Sequence, residues 1–193
     1  MESSELDDLQ LSSLYSWPSE RSFGLNLVLT DTGASTGTDG TSLSLTSAED
    51  RRILKLLRAK ADVVIVGAQS VRSEGWFLPP HGRLAILSTS GNIQWESCPD
   101  ASRVGVYPSV SALIHSLRNE EKRILCEGGL TAASLIAERV GFDQIALTRI
   151  GTQGIETVPS ELTPFESYTV SHTLTDSQNN MTFQYWRRAV ERQ

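Results

Sequence analysis

Two stretches of this chain, Phe23–Thr30 and Ala61–Gly67, are apolar at nearly every position. Each is short for a helix and lacks the alternation of a strand with one wet face, so both read as strands buried on two sides. Between them the period changes. Ile53, Leu54, Leu56 and Leu57 recur at helical spacing behind Thr46 and Glu49, a capping-box pair, and predict a helix ending near Lys60. Further strands are expected at Leu84–Ser88, Arg103–Tyr107, Arg123–Cys126 and Asp143–Ile150. Helices are expected at Ser109–Asn119, with Val110, Leu113, Ile114 and Leu117 on one side, and at Leu130–Val140. Gln69–Gly75 reads as a turn or short helix, and Asp31–Ser44 as a loop of Gly, Thr, Ser and Asp. Near the end, Tyr168–Thr175 and Met181–Arg187 alternate and flank Asp176-Ser177-Gln178-Asn179-Asn180, a hairpin signal. Residues 1–20 carry no sustained period and are read as an extended lead-in with one short helix around Leu6–Tyr15.

Strands alternating with helices, then a hairpin, imply an α/β protein whose mostly parallel central sheet ends in an antiparallel hairpin. At 193 residues one domain spanning 1–193 is the economical organisation. The net charge of −6 argues against a general nucleic-acid partner. No apolar run has the length of a membrane span, and the first residues are acidic and serine-rich rather than leader-like, so no membrane and a cytoplasmic location are expected. Cys98 and Cys126 lack metal-ligand spacing and read as reduced thiols, Cys126 within a strand; no metal is expected.

The richest segment is Ile124-Leu-Cys-Glu127-Gly128-Gly129-Leu130-Thr131. A strand ends in a carboxylate, two glycines remove side-chain bulk, and a helix begins. The first N–H groups of that helix lack internal partners, which suits an anion, although the same pattern also describes an ordinary strand-to-helix turn. Three other strand ends are polar or glycine-rich: Thr30-Asp31-Thr32-Gly33, Gly67-Ala68-Gln69-Ser70-Val71-Arg72 and Ser88-Thr89-Ser90-Gly91. Ligands of open α/β sheets collect at such ends, and four together point to a nucleotide pocket. Singly, Gly67 could merely end a strand and Arg72 could merely be solvated. Glu127 is harder to set aside, because a carboxylate at a buried strand end needs a partner. The Rossmann glycine fingerprint, a Walker loop, zinc deaminase and His-Glu-x-x-His signatures and a Gly-x-Ser-x-Gly elbow are all absent; His81, His115 and His172 are scattered.

Five blocks, in order and spacing, resemble the pyrimidine reductase family of riboflavin biosynthesis, the reductase half of a bifunctional deaminase-reductase. They are Asn26–Thr30 with Gly33; Asp39-Gly40-Thr41-Ser42; Asp50-Arg51-Arg52 through Leu57-Arg58-Ala59; Ala61–Gly75; and Glu127-Gly128-Gly129 with Phe142-Asp143-Gln144. The resemblance covers roughly residues 14–150. It implies a three-layer, dihydrofolate-reductase-like fold, which accounts for the missing Rossmann fingerprint. It also implies reduction of 5-amino-6-(5-phosphoribosylamino)uracil, a phosphoribosyl-pyrimidine, by NADPH in a homodimer. By the same resemblance Gly67, Ser70, Val71, Arg72 and Glu74 would line the cofactor, with Ser88 or Thr89 near its adenosine ribose phosphate. Gly128, Gly129, Leu130 and Thr131 would present N–H groups to the pyrophosphate. Ser42, Arg58 and Glu127 would contact substrate, with Glu127 and Thr30 the catalytic candidates; Arg58 alone reads equally as a helix-end cation.

The chain departs from that family at three points, the mildest being Gln69-Ser70 in place of the usual Gly-Thr or Ala-Thr, which keeps the hydroxyl. Thr32 stands where an aspartate is usual, with Asp31 one residue early and expected on the opposite face. The segment from Trp76 to Arg83 is shorter than usual and lacks the family's basic contacts. The cofactor half is therefore the better preserved. Two classes of function follow: an NADPH-dependent reductase of this or a related small substrate, and a catalytically idle relative that binds a nucleotide or serves in assembly.

Overall fold

The computed structural model describes residues 1–18, 20–151, 162 and 168–189. The one-domain expectation extends beyond them, over residues that lie outside the described set. Eight strands form one sheet: β1 (Ser22–Thr30), β2 (Val63–Gly67), β3 (Arg83–Leu87), β4 (Val104–Tyr107), β5 (Arg123–Cys126), β6 (Gln144–Ile150), β7 (Tyr168–Asp176) and β8 (Met181–Arg188). Their order is β4-β3-β2-β5-β1-β6-β8-β7. The first six are parallel to one another, and β8 runs antiparallel to both β6 and β7. This is the mostly parallel sheet with a terminal hairpin that the pattern implied. Asn180, at φ 52°, closes the hairpin turn in the left-handed region that asparagine tolerates.

Helices cover both faces. One face packs Val64, Val66, Leu84, Ile86 and Leu125 under α1 (Asp8–Leu14), α2 (Ala48–Lys60) and α3 (Ala68–Glu74), through Leu11, Ile53, Leu57 and Val71. The other packs Leu25, Leu27, Val63, Ile65 and Ile124 under α4 (Val110–His115) and α5 (Leu130–Val140), through Val110, Leu113, Ala133, Ile136 and Ala137. Both faces of β2 are thereby sealed, which is why its run is continuously apolar.

Three local expectations need correction. The cap of α2 is Ser47, whose hydroxyl accepts the Asp50 N–H at 3.2 Å. Thr46 instead donates its hydroxyl to the Leu43 carbonyl and accepts from Arg51. Helix α4 stops at His115, four residues early, because the buried carboxylate of Glu121 captures the Arg118 N–H at 2.8 Å and turns the chain. The lead-in is less extended than expected. Asp7 and Gln10 form a reciprocal capping box, and Leu11 and Tyr15, one turn apart, are buried. The Lys60 ammonium closes the far end of α1 on the carbonyls of Ser12 and Tyr15.

Candidate functional site

The sheet order brings the carboxyl ends of β3, β2, β5 and β1 side by side, so the four polar strand ends converge. Two cavities open above them, of about 470 Å³ and about 320 Å³. Ser35, Thr36, Ser70, Glu74 and Gly129 line both, forming a common wall. Ser35 and Thr36 come from the loop after β1, Ser70 and Glu74 from α3, and Gly129 from the turn into α5.

The larger cavity is built from backbone and hydroxyls. It takes Gly67, Ser70, Arg72, Glu74, Ser88, Thr89, Gly129, Leu130 and Thr131 from among the anticipated cofactor residues. Val71 does not reach it; that side chain is buried in the core beneath α3. Gly128 lines the other cavity, where its lack of a side chain has a steric reason: a Cβ there would stand 2.6 Å from the Ala132 Cβ. Glycine lets α5 close directly onto the end of β5. A Cβ on Gly67 would meet nothing within 4 Å and would project into open space. Helix α5 carries no side-chain cap at Gly129, so its leading N–H groups and positive dipole end stay available to a ligand. Uncapped amides, hydroxyls and open glycine surfaces are a donor set that fits the pyrophosphate and ribose of a dinucleotide.

The smaller cavity is built from charged and aromatic side chains. Arg58 and Glu127 meet there in a bidentate pair: Arg58 Nε donates to Oε1 and Oε2, both at 3.0 Å, and Nη2 to Oε2 at 2.6 Å. The Arg58 guanidinium also lies 3.8 Å above the centroid of Phe77. Burial pushes the Glu127 carboxyl above its ordinary range; Arg58 opposes that rise and the nearby Glu74 adds to it. Ser42 donates both its N–H and its hydroxyl to Glu74 Oε1, each at 2.8 Å, which ties the loop after β1 to the end of α3.

Sequence reasoning missed the residue with the most chemistry here. Asp50, on the first turn of α2, lines this cavity and is only 4% exposed. Its Oδ1 accepts the Thr148 hydroxyl at 2.6 Å, across 98 residues of chain. Burial raises the Asp50 pKa, against lesser opposition from Thr148 and Arg51. The sequence placed Asp50 in a matching block but showed no sign that β6 would seal it. Arg51 and Lys55 line the same cavity, and among the described residues neither is in an ion pair. Trp76 and Phe77, from the shortened segment, complete the wall, with Trp76 against Trp95 at 5.7 Å.

Thr30 lines neither cavity. Its hydroxyl accepts the Ala34 N–H at 3.0 Å and shares a hydrogen bond with Thr32 Oγ1 at 2.9 Å, so both threonines serve the turn. Asp31 is exposed on the Gly151 side, also outside both cavities. Among the described residues no group of three or more His, Cys, Asp or Glu could hold a metal ion, and no helix is long and apolar enough to cross a membrane.

No protein-family model and no curated protein matches the sequence. Solved structures do match the fold. A pyrimidine reductase-like protein of Corynebacterium diphtheriae superposes with a TM-score of 0.71 at 17% identity, over 94% of this chain and 99% of that one. A deaminase/5-amino-6-(5-phosphoribosylamino)uracil reductase of Thermotoga maritima gives 0.59 at 16%, over 88% of this chain and 57% of that protein. Enterococcus faecalis dihydrofolate reductase, complexed with NADP(H), gives 0.61 at 14%, over 88% and 97%. The chain thus spans under three fifths of the bifunctional protein's length and nearly all of the other two. These likenesses establish the dihydrofolate-reductase-like fold, and the neighbours include the kind of protein the sequence motifs resemble.

Proposed function

We propose that the protein is an NADPH-dependent reductase of a small phosphoribosyl-pyrimidine, resembling 5-amino-6-(5-phosphoribosylamino)uracil reductase. One observation carries the reading: an anion-ready cavity and a charged cavity share one wall, with a buried carboxyl of raised pKa in the second. That arrangement suits a hydride donor on one side and an acceptor on the other.

The cofactor's pyrophosphate would rest on the N–H groups of Leu130 and Thr131, with its nicotinamide toward Ser70, Glu74 and Gly129 at the common wall. When bound, the nicotinamide supplies a hydride. Reduction of a ribosylamine breaks the ring C–O bond at the first sugar carbon and forms a C–H bond there; the ring oxygen leaves as a hydroxyl. The balance therefore needs one hydride and one proton. Burial raises both carboxyls in the cavity, but Glu127 is held by the Arg58 guanidinium, so Asp50, protonated to a higher pH than an exposed aspartate, is the one better suited to hold that proton. Glu127, held by Arg58, would orient substrate hydroxyl or amide groups, and Arg51 and Lys55 would meet an anionic substituent such as the phosphate.

The idle-relative reading draws on the threonine at position 32. Asp50 speaks for the reductase, because it places a carboxyl in the substrate cavity without any contribution from that loop. Mixing the purified protein with NADPH and 5-amino-6-(5-phosphoribosylamino)uracil, and following nicotinamide absorbance, tests the proposal. Oxidation in wild type, with Glu127→Gln lowering turnover more than NADPH affinity, is expected. Measurable NADPH binding with no oxidation would favour the idle relative.

A further inference from the structure

From Trp76 to Gly82 the segment between α3 and β3 carries no lysine or arginine, yet it is fastened at both ends. Gly75, at φ 84°, stops α3 in a conformation that side chains resist and turns the chain back over the smaller cavity. Trp76 then donates its ring N–H to the Gln94 carbonyl at 3.0 Å and rests against Trp95. At the other end Arg103 donates from Nη2 to the Pro79 carbonyl at 2.6 Å and from Nε to the Gly82 carbonyl at 2.9 Å. Between these anchors Trp76, Phe77 and Leu78 pack against the core. Phe77 is thus presented by a strap that has little freedom of its own.

What it is presented to is Arg58, whose guanidinium carbon lies 3.8 Å from the centre of the Phe77 ring. A guanidinium is a flat cation with two faces and more than one donor edge. Phe77 takes one face, and Glu127 takes the edge formed by Nε and Nη2. Among the described residues Nη1 makes no hydrogen bond. Arg58 keeps 25% of its side chain exposed at the cavity, against 7% for Glu127, so the unused donors belong to the open side. Ring and carboxylate together fix the plane of the guanidinium before any ligand arrives, which lowers the cost of binding one. Resting on the reductase reading, we infer that Phe77 is a positioning residue, holding Arg58 so that Nη1 meets an acceptor oxygen of the substrate. The strap contributes by an aromatic face what a basic side chain would contribute by charge, and the cation itself comes from α2. Phe77 supplies neither hydride nor proton, so its loss falls on binding rather than on the chemical step.

Phe77→Leu removes the ring face but stays apolar, whereas Phe77→Tyr keeps the face. Each is compared with wild type by calorimetric titration with 5-amino-6-(5-phosphoribosylamino)uracil and with NADPH, and by the kinetics of NADPH oxidation. Phe77→Leu should weaken uracil binding and raise KM by roughly 3- to 30-fold, the range a cation–π contact spans, with kcat little changed. Its NADPH affinity should match wild type, which also shows that the variant is folded, and Phe77→Tyr should restore most of the loss. In an Arg58→Lys background, where no flat cation remains to be held, Phe77→Leu should cost little more. An unchanged KM in Phe77→Leu, or an equal loss in both Arg58 backgrounds, would overturn the role and leave the reductase reading standing. Failure of wild type to bind the uracil would overturn both.

Discussion

The two cavities are made in opposite ways. The larger is framed by main chain: glycines at strand ends, an uncapped helix start and a row of hydroxyls. The smaller is framed by side chains that only tertiary pairing brings together, Arg58 with Glu127 over 69 residues and Asp50 with Thr148 over 98. A site of the first kind depends on local backbone geometry and tolerates changes of side chain. A site of the second kind changes character when one partner changes. The chain keeps the backbone cavity close to the pattern its motifs resemble, while of its departures the short segment after Trp76 walls the smaller cavity and Thr32 sits in a turn that lines neither.

Asp50→Asn separates the cavities most sharply. The amide keeps the oxygen that Thr148 bonds but holds no transferable proton, so turnover should fall by about 10²–10⁴-fold. NADPH affinity, measured by titration, should be unchanged. Because burial raises the carboxyl's pKa in the folded state, the stability Asp50 contributes is present below its unfolded pKa and lost as pH rises through the folded one. Chemical denaturation at neutral pH should therefore find Asp50→Asn no less stable than wild type. A destabilised variant with unaltered turnover would make Asp50 structural.

Gly128→Ala probes the other construction. Its Cβ would force α5 outward from Ala132, at a cost of roughly 1–3 kcal/mol for overpacking. NADPH binding should weaken and the melting temperature should drop. Unchanged binding would show that the helix start is not the pyrophosphate seat.

His172 makes the smallest and most remote change. It stacks on Tyr185 and meets Tyr15 edge-on, with ring centroids 5.1 and 5.0 Å away, and it lines neither cavity. Burial, with a lesser push from Arg187, lowers its pKa from 6.5 to about 4. A depressed histidine contributes stability that is full above 6.5 and lost as pH falls through about 4. Denaturation midpoints across that window should slope less in His172→Phe, with both ligand affinities at pH 7 unmoved. An equal slope would place the acid sensitivity elsewhere.

How much could be read from the chain follows the same division. Buried parallel strands announce themselves by continuous apolar runs, and Glu127-Gly128-Gly129 by its local chemistry. The start of α2 was legible to within a residue, since Thr46 and Ser47 both precede a carboxylate by three positions and only the hydrogen bonds choose Ser47. Glu127's need for a partner was legible; that the partner is Arg58 required the fold. Asp50 was hidden because its burial comes from β6, and Phe77 because the short segment reads as something missing until Arg58 is seen lying on its ring.

In the proposed reaction hydride crosses the wall formed by Ser35, Thr36, Ser70, Glu74 and Gly129. Incubating the protein with NADPH deuterated at both C4 positions and 5-amino-6-(5-phosphoribosylamino)uracil, then weighing the product by mass spectrometry, tests it. The expected result is a ribityl product carrying one deuterium at its first sugar carbon. A protein that binds both ligands and yields no labelled product would contradict it.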